Sequence, residues 1–223
     1  MGHRLRTTLT VVASVAATLV FAVAPAASAS KADDVQIARQ GLLETSDFPT
    51  GWSGTRASVP SDATVIKALA KIPACKDYLA VRKLSASASK ARSLEYGDGS
   101  TTTASNVVNA FATSAKASAA LKVFAKSTVA TCLEQYTQKG IGTQGIVKVS
   151  PADVTGLGAN TVGYTADVAD SSGTVQEQLL TFAVPVGRFI SVYTVEVKSN
   201  DAPISTVEDA VNASITRLTD AAA

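Results

Sequence analysis

Histidine is almost missing from this sequence: the one copy is His3, and the one methionine is Met1. Cysteine occurs twice, aromatic residues make up 5% and charged residues 17% of the 223 positions. Each shortage excludes something. With no imidazole beyond residue 3, the body of the chain cannot run a Ser-His-Asp or Cys-His mechanism or build an imidazole metal site. Charge of one sign is lacking too. The net charge is +2, from 20 basic and 18 acidic residues; Arg4 and Arg6 lie at the amino end, and beyond them the balance is 18 against 18. Such a chain has no cationic surplus to neutralise phosphates, so nucleic acid is not an expected partner. No apolar run reaches the roughly 20 residues that a membrane span needs. A cofactor is not expected, and neither is an enzyme.

What is present begins with an export pattern. Arg4 and Arg6 form a positive start, Val11 to Val23 are apolar or small, and Pro25 precedes Ala27-Ser28-Ala29. Small residues at that spacing fit a signal peptidase, which predicts a cleaved secretory signal over 1–29 with the cut before Ser30. No cysteine near that cut can accept a lipid. Residues 30–223 are then expected to form one exported domain, released or wall-associated. In an oxidising compartment Cys75 and Cys132 are expected to pair, closing a loop of 58 residues.

Periodicity places the elements. Asp33 to Leu43 reads as a helix, followed by a turn-rich stretch ending in Trp52, the only tryptophan. Ser61 can cap a second helix carrying Val65, Ile66 and Leu69. Tyr78 to Arg82 can add a turn, and Ser85 to Lys90 reads as a loop. Ser93–Tyr96 and Thr101–Ala110 are β-prone, joined by the hairpin turn Gly97-Asp98-Gly99. Ser114 to Lys139 is the strongest helix, with Ala117, Leu121, Phe124, Thr128, Cys132 and Tyr136 as its apolar stripe. Strands follow at Ile146–Val149, Thr161–Val168, Val175–Val184 and Arg188–Lys198, the last two joined through Pro185-Val186-Gly187. Ser205 and Glu208 read as a capping box for a final helix with Val207, Val211, Ile215 and Leu218 on one side. This order predicts an α+β fold: an antiparallel sheet of about five to six strands packed against helices, with one disulfide.

Several patterns invite chemistry. Gly140, Gly142 and Gly145 match G-x-G-x-x-G, but a dinucleotide loop needs a strand before it and a helix after it, and here the order is reversed. Ser87 and Lys90 match S-x-x-K without the other two elements such catalysts require. Paired carboxylates can hydrolyse glycosides without histidine, and Glu95, Asp98 and Glu177 are candidates whose separation sequence does not give. Asp33, Asp34 and Asp47, or Asp167, Asp170 and Ser171, have side-chain oxygens for calcium but not the spacing of a calcium loop. Trp52 is either an aromatic platform in a ligand groove or a plug at the edge of the core.

Some segments resemble a known group: Leu42-Leu43 followed by Asp47-Phe48-Pro49-Thr50-Gly51-Trp52, a cysteine after a short helix, Phe111 opening a long helix with the second cysteine near its end, Gly156-Leu157-Gly158 and Val186-Gly187-Arg188. Together they resemble the PknH-type extracellular sensor domain of actinobacterial receptor Ser/Thr kinases, over most of Asp33 to Leu218. The resemblance implies one disulfide-stabilised α+β domain with a cleft for an unidentified ligand. The sequence departs from the pattern by lacking a kinase domain, a second cysteine pair and a tryptophan before the first cysteine, where Ile72-Pro73-Ala74 stands. The expected function is therefore non-catalytic: a sensor-like domain that binds a small molecule or cell-envelope component, with Trp52 as the candidate contact. The alternatives are a wall-glycan hydrolase using two carboxylates and a structural or partner-binding envelope protein.

Overall fold

The structure is a computed structural model describing residues 30–56, 60–143, 145–158, 160–198 and 204–223. The expected signal over 1–29 lies outside the described residues, as does Gln144.

Helix α1 (Lys31–Gln40) starts at a reciprocal cap: the Asp33 amide donates to Ser30 Oγ at 3.2 Å, and the Ser30 amide donates to Asp33 Oδ2 at 3.0 Å. It stops at Gly41, short of the expected Leu43, because the chain there is pressed on the carboxyl-terminal helix; a Cβ at Gly41 would lie 2.8 Å from Leu218 Cβ. Ser61 caps α2 (Asp62–Leu69) through the Thr64 amide. A 3₁₀ turn over Pro73–Cys75 leads into α3 (Lys76–Ser87), a full helix where sequence suggested only a turn and then a loop.

All strand pairs are antiparallel. The strands are β1 (Ser53–Thr55), β2 (Ser89–Arg92), β3 (Glu95–Gly97), β4 (Thr102–Ala110), β5 (Ile146–Pro151), β6 (Val162–Ala169), β7 (Val175–Val186) and β8 (Phe189–Val197). They form one eight-stranded sheet in the order β1-β3-β4-β8-β7-β6-β5, with β2 also against β4. The fold class is α+β as expected, and the strand count exceeds the expected five to six because β1 and β2 are short and weakly β-prone. They become strands through pairing with neighbours already in place. Along the edge of β4 the pairs Arg92↔Val107 and Tyr96↔Ala104 differ by one in register. Ser93 and Leu94 therefore both oppose Asn106, a β-bulge that separates β2 from β3. Ser93 closes it with two bonds, its amide to the Asn106 carbonyl at 3.0 Å and its Oγ accepting from the Asn106 amide at 2.9 Å. The expected turn between β7 and β8 is tighter than read: Pro185 and Val186 belong to β7, and Gly187, at φ +57°, makes the bend with Arg188. Pro185 lies past the last residue of β6 paired to β7, so its missing N–H breaks no ladder.

Alternation along the strands gives the sheet two buried faces. On the first, α1 and α6 (Ile204–Ala222) cover Ala104, Val108, Phe182, Val184, Phe189, Tyr193 and Val195. The expected stripe of α6 holds, with Val207, Val211 and Leu218 buried, though the helix begins one residue before the predicted cap at Ser205. Tyr193 stacks on Phe182 with ring centres 5.0 Å apart, and its hydroxyl lies 2.6 Å from Ser214 Oγ.

The second face carries α3, α4 (Ser114–Phe124) and α5 (Ser127–Ile141). The expected continuous helix over Ser114–Lys139 is broken at Ala125-Lys126. The Tyr164 hydroxyl, from β6, sits 2.7 Å from the Phe124 carbonyl and 3.0 Å from that of Lys126, which also accepts from the Val129 amide at 2.9 Å. At the break one position of the apolar stripe changes, Val129 being buried and the expected Thr128 exposed, while Cys132 is buried and Tyr136 packs beside it as expected. Thr128 instead donates to Asp77 of α3 at 2.8 Å. Cys75 and Cys132 are joined as a disulfide, both fully buried, and tie the turn before α3 to the middle of α5. At the sheet edge, the outward amides of β5 are taken by α5: Val147 donates to Gln138 Oε1 at 2.8 Å and Val149 to Glu134 Oε2 at 3.1 Å. Among the described residues no helix is long and apolar enough to cross a membrane.

Candidate functional site

Between the second face and the helices that the disulfide ties together lies a cleft of about 280 Å³. Its position follows from the packing. Large side chains of α4 fill one part of that face, but over the middle strands the sheet presents small and polar residues, which leave room. Ser105 and Asn109 of β4, Thr194 of β8 and Thr181 of β7 make the floor, with Val107, Val192 and Leu179 between them. Tyr78, Val81 and Arg82 of α3 and Leu133, Tyr136 and Thr137 of α5 make the roof. The volume sits just under the roughly 300 Å³ at which drug-sized pockets begin, so it suits a metabolite-sized molecule.

The mouth is charged. Asp62, at the start of α2, accepts from Arg82 Nη2 at 2.9 Å through Oδ1 and pairs with the Lys90 ammonium through Oδ2. The Lys90 bond and the nearby positive charges of Lys90, Arg82 and Arg92 hold the Asp62 carboxyl below its usual value, against partial desolvation. Arg92, two residues along β2 from Lys90, is exposed beside them. Desolvation and repulsion from Arg82 push its guanidinium below the usual arginine range, with Asp62 opposing.

The residues singled out from sequence are dispersed. Ser87 ends α3 and donates to the Leu84 carbonyl at 2.8 Å, while Lys90 is on β2 and paired with Asp62. The one-turn helical spacing that S-x-x-K chemistry needs is therefore absent. Gly142 stops α5 at φ +64°, and Gly145 lies so close to β6 that a Cβ would meet the Ala169 carbonyl at 2.4 Å. A helix precedes this segment and a strand follows it. Asp33 caps α1, Asp34 pairs with Arg188, and Asp47 receives both terminal nitrogens of Arg217 at 2.7 and 2.8 Å. Asp170 organises the turn between β6 and β7, accepting from the Ser172 and Thr174 amides, and Asp167 accepts from Gln178 at 2.9 Å.

The candidate acids do not converge. Glu95 and Asp98 border an open groove at the β3–β4 hairpin, whereas Glu177 is on β7, where burial and then Glu196 raise its pKa. Desolvation pushes the Asp98 carboxyl up, but donation from the Ser100, Thr102 and Thr101 amides prevails and holds it at about 2. A lowered carboxyl pKa contributes stability that is complete above the ordinary value and lost as pH falls through the folded one. The stability gap between wild type and Asp98→Ala is thus expected to close as pH drops from 3.8 to about 2. Urea unfolding of both proteins across that interval measures it, and a gap independent of pH would refute the turn role.

Trp52 is on the other side of the sheet from the cleft. It is half-buried, stacked on Phe48 with ring centres 4.5 Å apart, and packed against the first-face core; Phe48 in turn stacks on Tyr96 at 5.1 Å. A smaller cavity of about 200 Å³ lies under α6, floored by Phe182, Leu180 and Val195 with Glu208 at its edge. Sequence reasoning touched Lys90 only through the S-x-x-K match and did not bring the cleft cations together. Their only signal was period-two spacing of Lys90 and Arg92 and helical spacing of Tyr78 and Arg82, each too short to stand out.

The sequence matches no family model and no curated protein. Among solved structures, the extracellular domain of PknH from Mycobacterium tuberculosis is similar at 12% identity with a TM-score of 0.43, over 83% of this chain and 94% of that one.

Proposed function

We propose that the protein is an exported, non-catalytic binding domain that holds a small molecule or soluble cell-envelope component in the cleft between its sheet and α3–α5. The observation that carries this reading is the cleft itself, a mixed apolar and polar hollow roofed by helices that a disulfide holds in place. Binding is favoured over hydrolysis because Asp62 is the one carboxylate among the described residues that line the cleft, and a glycosidase needs two. The buried disulfide supports an oxidising, extracellular setting. Signal cleavage after Ala29 would leave Ser30 in place, so α1 would keep its cap.

The test is mass spectrometry of material that copurifies with natively secreted protein. A small molecule is expected to accompany the wild type, to be lost from Ser105→Trp, which fills the cleft floor, and to persist in Trp52→Ala. Equal retention by the filled variant, with its fold verified by circular dichroism, would place the ligand elsewhere; loss in Trp52→Ala alone would move the site to the tryptophan.

A further inference from the structure

The charges around the cleft mouth do not balance. Among the described lining residues, Arg82, Lys90 and Arg92 supply three cations and Asp62 the single carboxylate. Both Asp62 oxygens are engaged, Oδ1 by Arg82 and Oδ2 by Lys90. Arg92 forms no ion pair among the described residues. Arg82 spends Nη2 on Asp62, yet its Nε is buried without an acceptor. A buried N–H donor left unmatched is unfavourable, and an arginine fork suits a planar or tetrahedral oxyanion. Beyond the first residues the chain is neutral, so this local excess is a concentration of charge rather than a general basicity.

The fold sets this concentration by geometry. Lys90 and Arg92 project from the same side of β2 because they are two residues apart, and Tyr78 and Arg82 share a side of α3 because they are four apart. Cation and aromatic ring thus meet at one opening, with Tyr136 of α5 beside Tyr78. The cleft is too small, and its cations too few, for a polyanion such as nucleic acid.

We propose that the cleft selects an anion: a small molecule whose carboxylate or phosphate docks on Arg82 and Arg92, with its apolar body against Tyr78 and Tyr136. This rests on the binding reading above and names the chemistry of its ligand.

The experiment titrates the folded protein with benzoate, phenyl phosphate and neutral benzamide, read by calorimetry at low salt. At least one anion is expected to bind about tenfold or more tightly than benzamide, the preference expected of a hydrogen bond to a charged group. The tighter of the two identifies the headgroup. Arg92→Gln is expected to erase the preference while leaving the unfolding midpoint unchanged. Lys83→Gln, an equal charge change on an exposed residue that does not line the cleft, is expected to leave it intact. Added salt should weaken the anion and spare benzamide. Equal binding of benzamide and both anions, an unaltered preference in Arg92→Gln, equal loss in Lys83→Gln, or no anion binding at millimolar concentration would each overturn the anion assignment. Benzamide bound without preference and expelled by Ser105→Trp would overturn it while leaving the cleft as a binding site.

Discussion

Replacing Cys75 and Cys132 together by alanine is expected to lower the free energy of unfolding by about 4 kcal/mol, the chain-entropy value for a loop of this length. The two residues are 57 apart in sequence, so the bridge removes much of the freedom of the unfolded chain between them. Against a typical total of about 5–15 kcal/mol, such a loss is large. Both cysteines are buried with Leu69 and Ile72, so the alanines also leave that cluster less well packed. Urea denaturation measures the effect, and wild type treated with reductant should fall to a similar midpoint. The same change should weaken cleft binding, because the bridge holds α5 and the start of α3 in register over the floor. A loss under about 1 kcal/mol, well below what the loop entropy implies, would show that packing alone holds the helices.

Asn106→Ala is expected to cost about 2–4 kcal/mol, measured in the same way, because it strands several buried partners. The Asn106 amide group donates to the Gly41 carbonyl at 2.7 Å and to Ser191 Oγ at 3.0 Å, and its oxygen accepts from the Leu43 amide at 3.0 Å. These bonds fasten the chain leaving α1 to the middle of the sheet, far from either along the sequence. Aspartate at this position keeps the acceptor but loses both donors and buries a charge beside the Gly41 carbonyl. Burial raises the folded pKa of the introduced carboxyl, so this variant is relatively stabilised where the acid is protonated and loses that stability as pH rises through the raised value. The deficit of Asn106→Asp should therefore shrink on acidification, while that of Asn106→Ala should not. A cost below about 0.5 kcal/mol for the alanine variant, typical of surface positions, would mean that this knot is dispensable.

The parts of the fold legible in sequence are those written in local pattern. The stripe of α6, the alternation of β8 and the Ser61 cap depend on nearby residues and are where the spacing put them; the hairpin expected at Gly97-Asp98-Gly99 is there too, but Gly97 belongs to β3 and the turn runs over Asp98–Thr101. The two cysteines were legible by elimination. The break between α4 and α5 was not, since Ala125 and Lys126 are good helix formers and the group that meets the carbonyls at the break is Tyr164, distant in the chain. Ser89–Arg92 has little β propensity and becomes a strand because β4 offers it an edge. The position and charge of the cleft escaped for a related reason. Its cations belong to α3 and β2, and only the pairing of β2 to β4 brings Lys90 and Arg92 up to Asp62 and Arg82.

The edge strand β5 has one more consequence. Its outward amides at Val147 and Val149 are occupied by Gln138 and Glu134, and Pro151 ends it. A neighbouring molecule that tried to extend the sheet there would find those two donors already engaged and a carboxylate in its path. An edge blocked in this way opposes the strand-to-strand addition by which exposed β edges join copies into fibres.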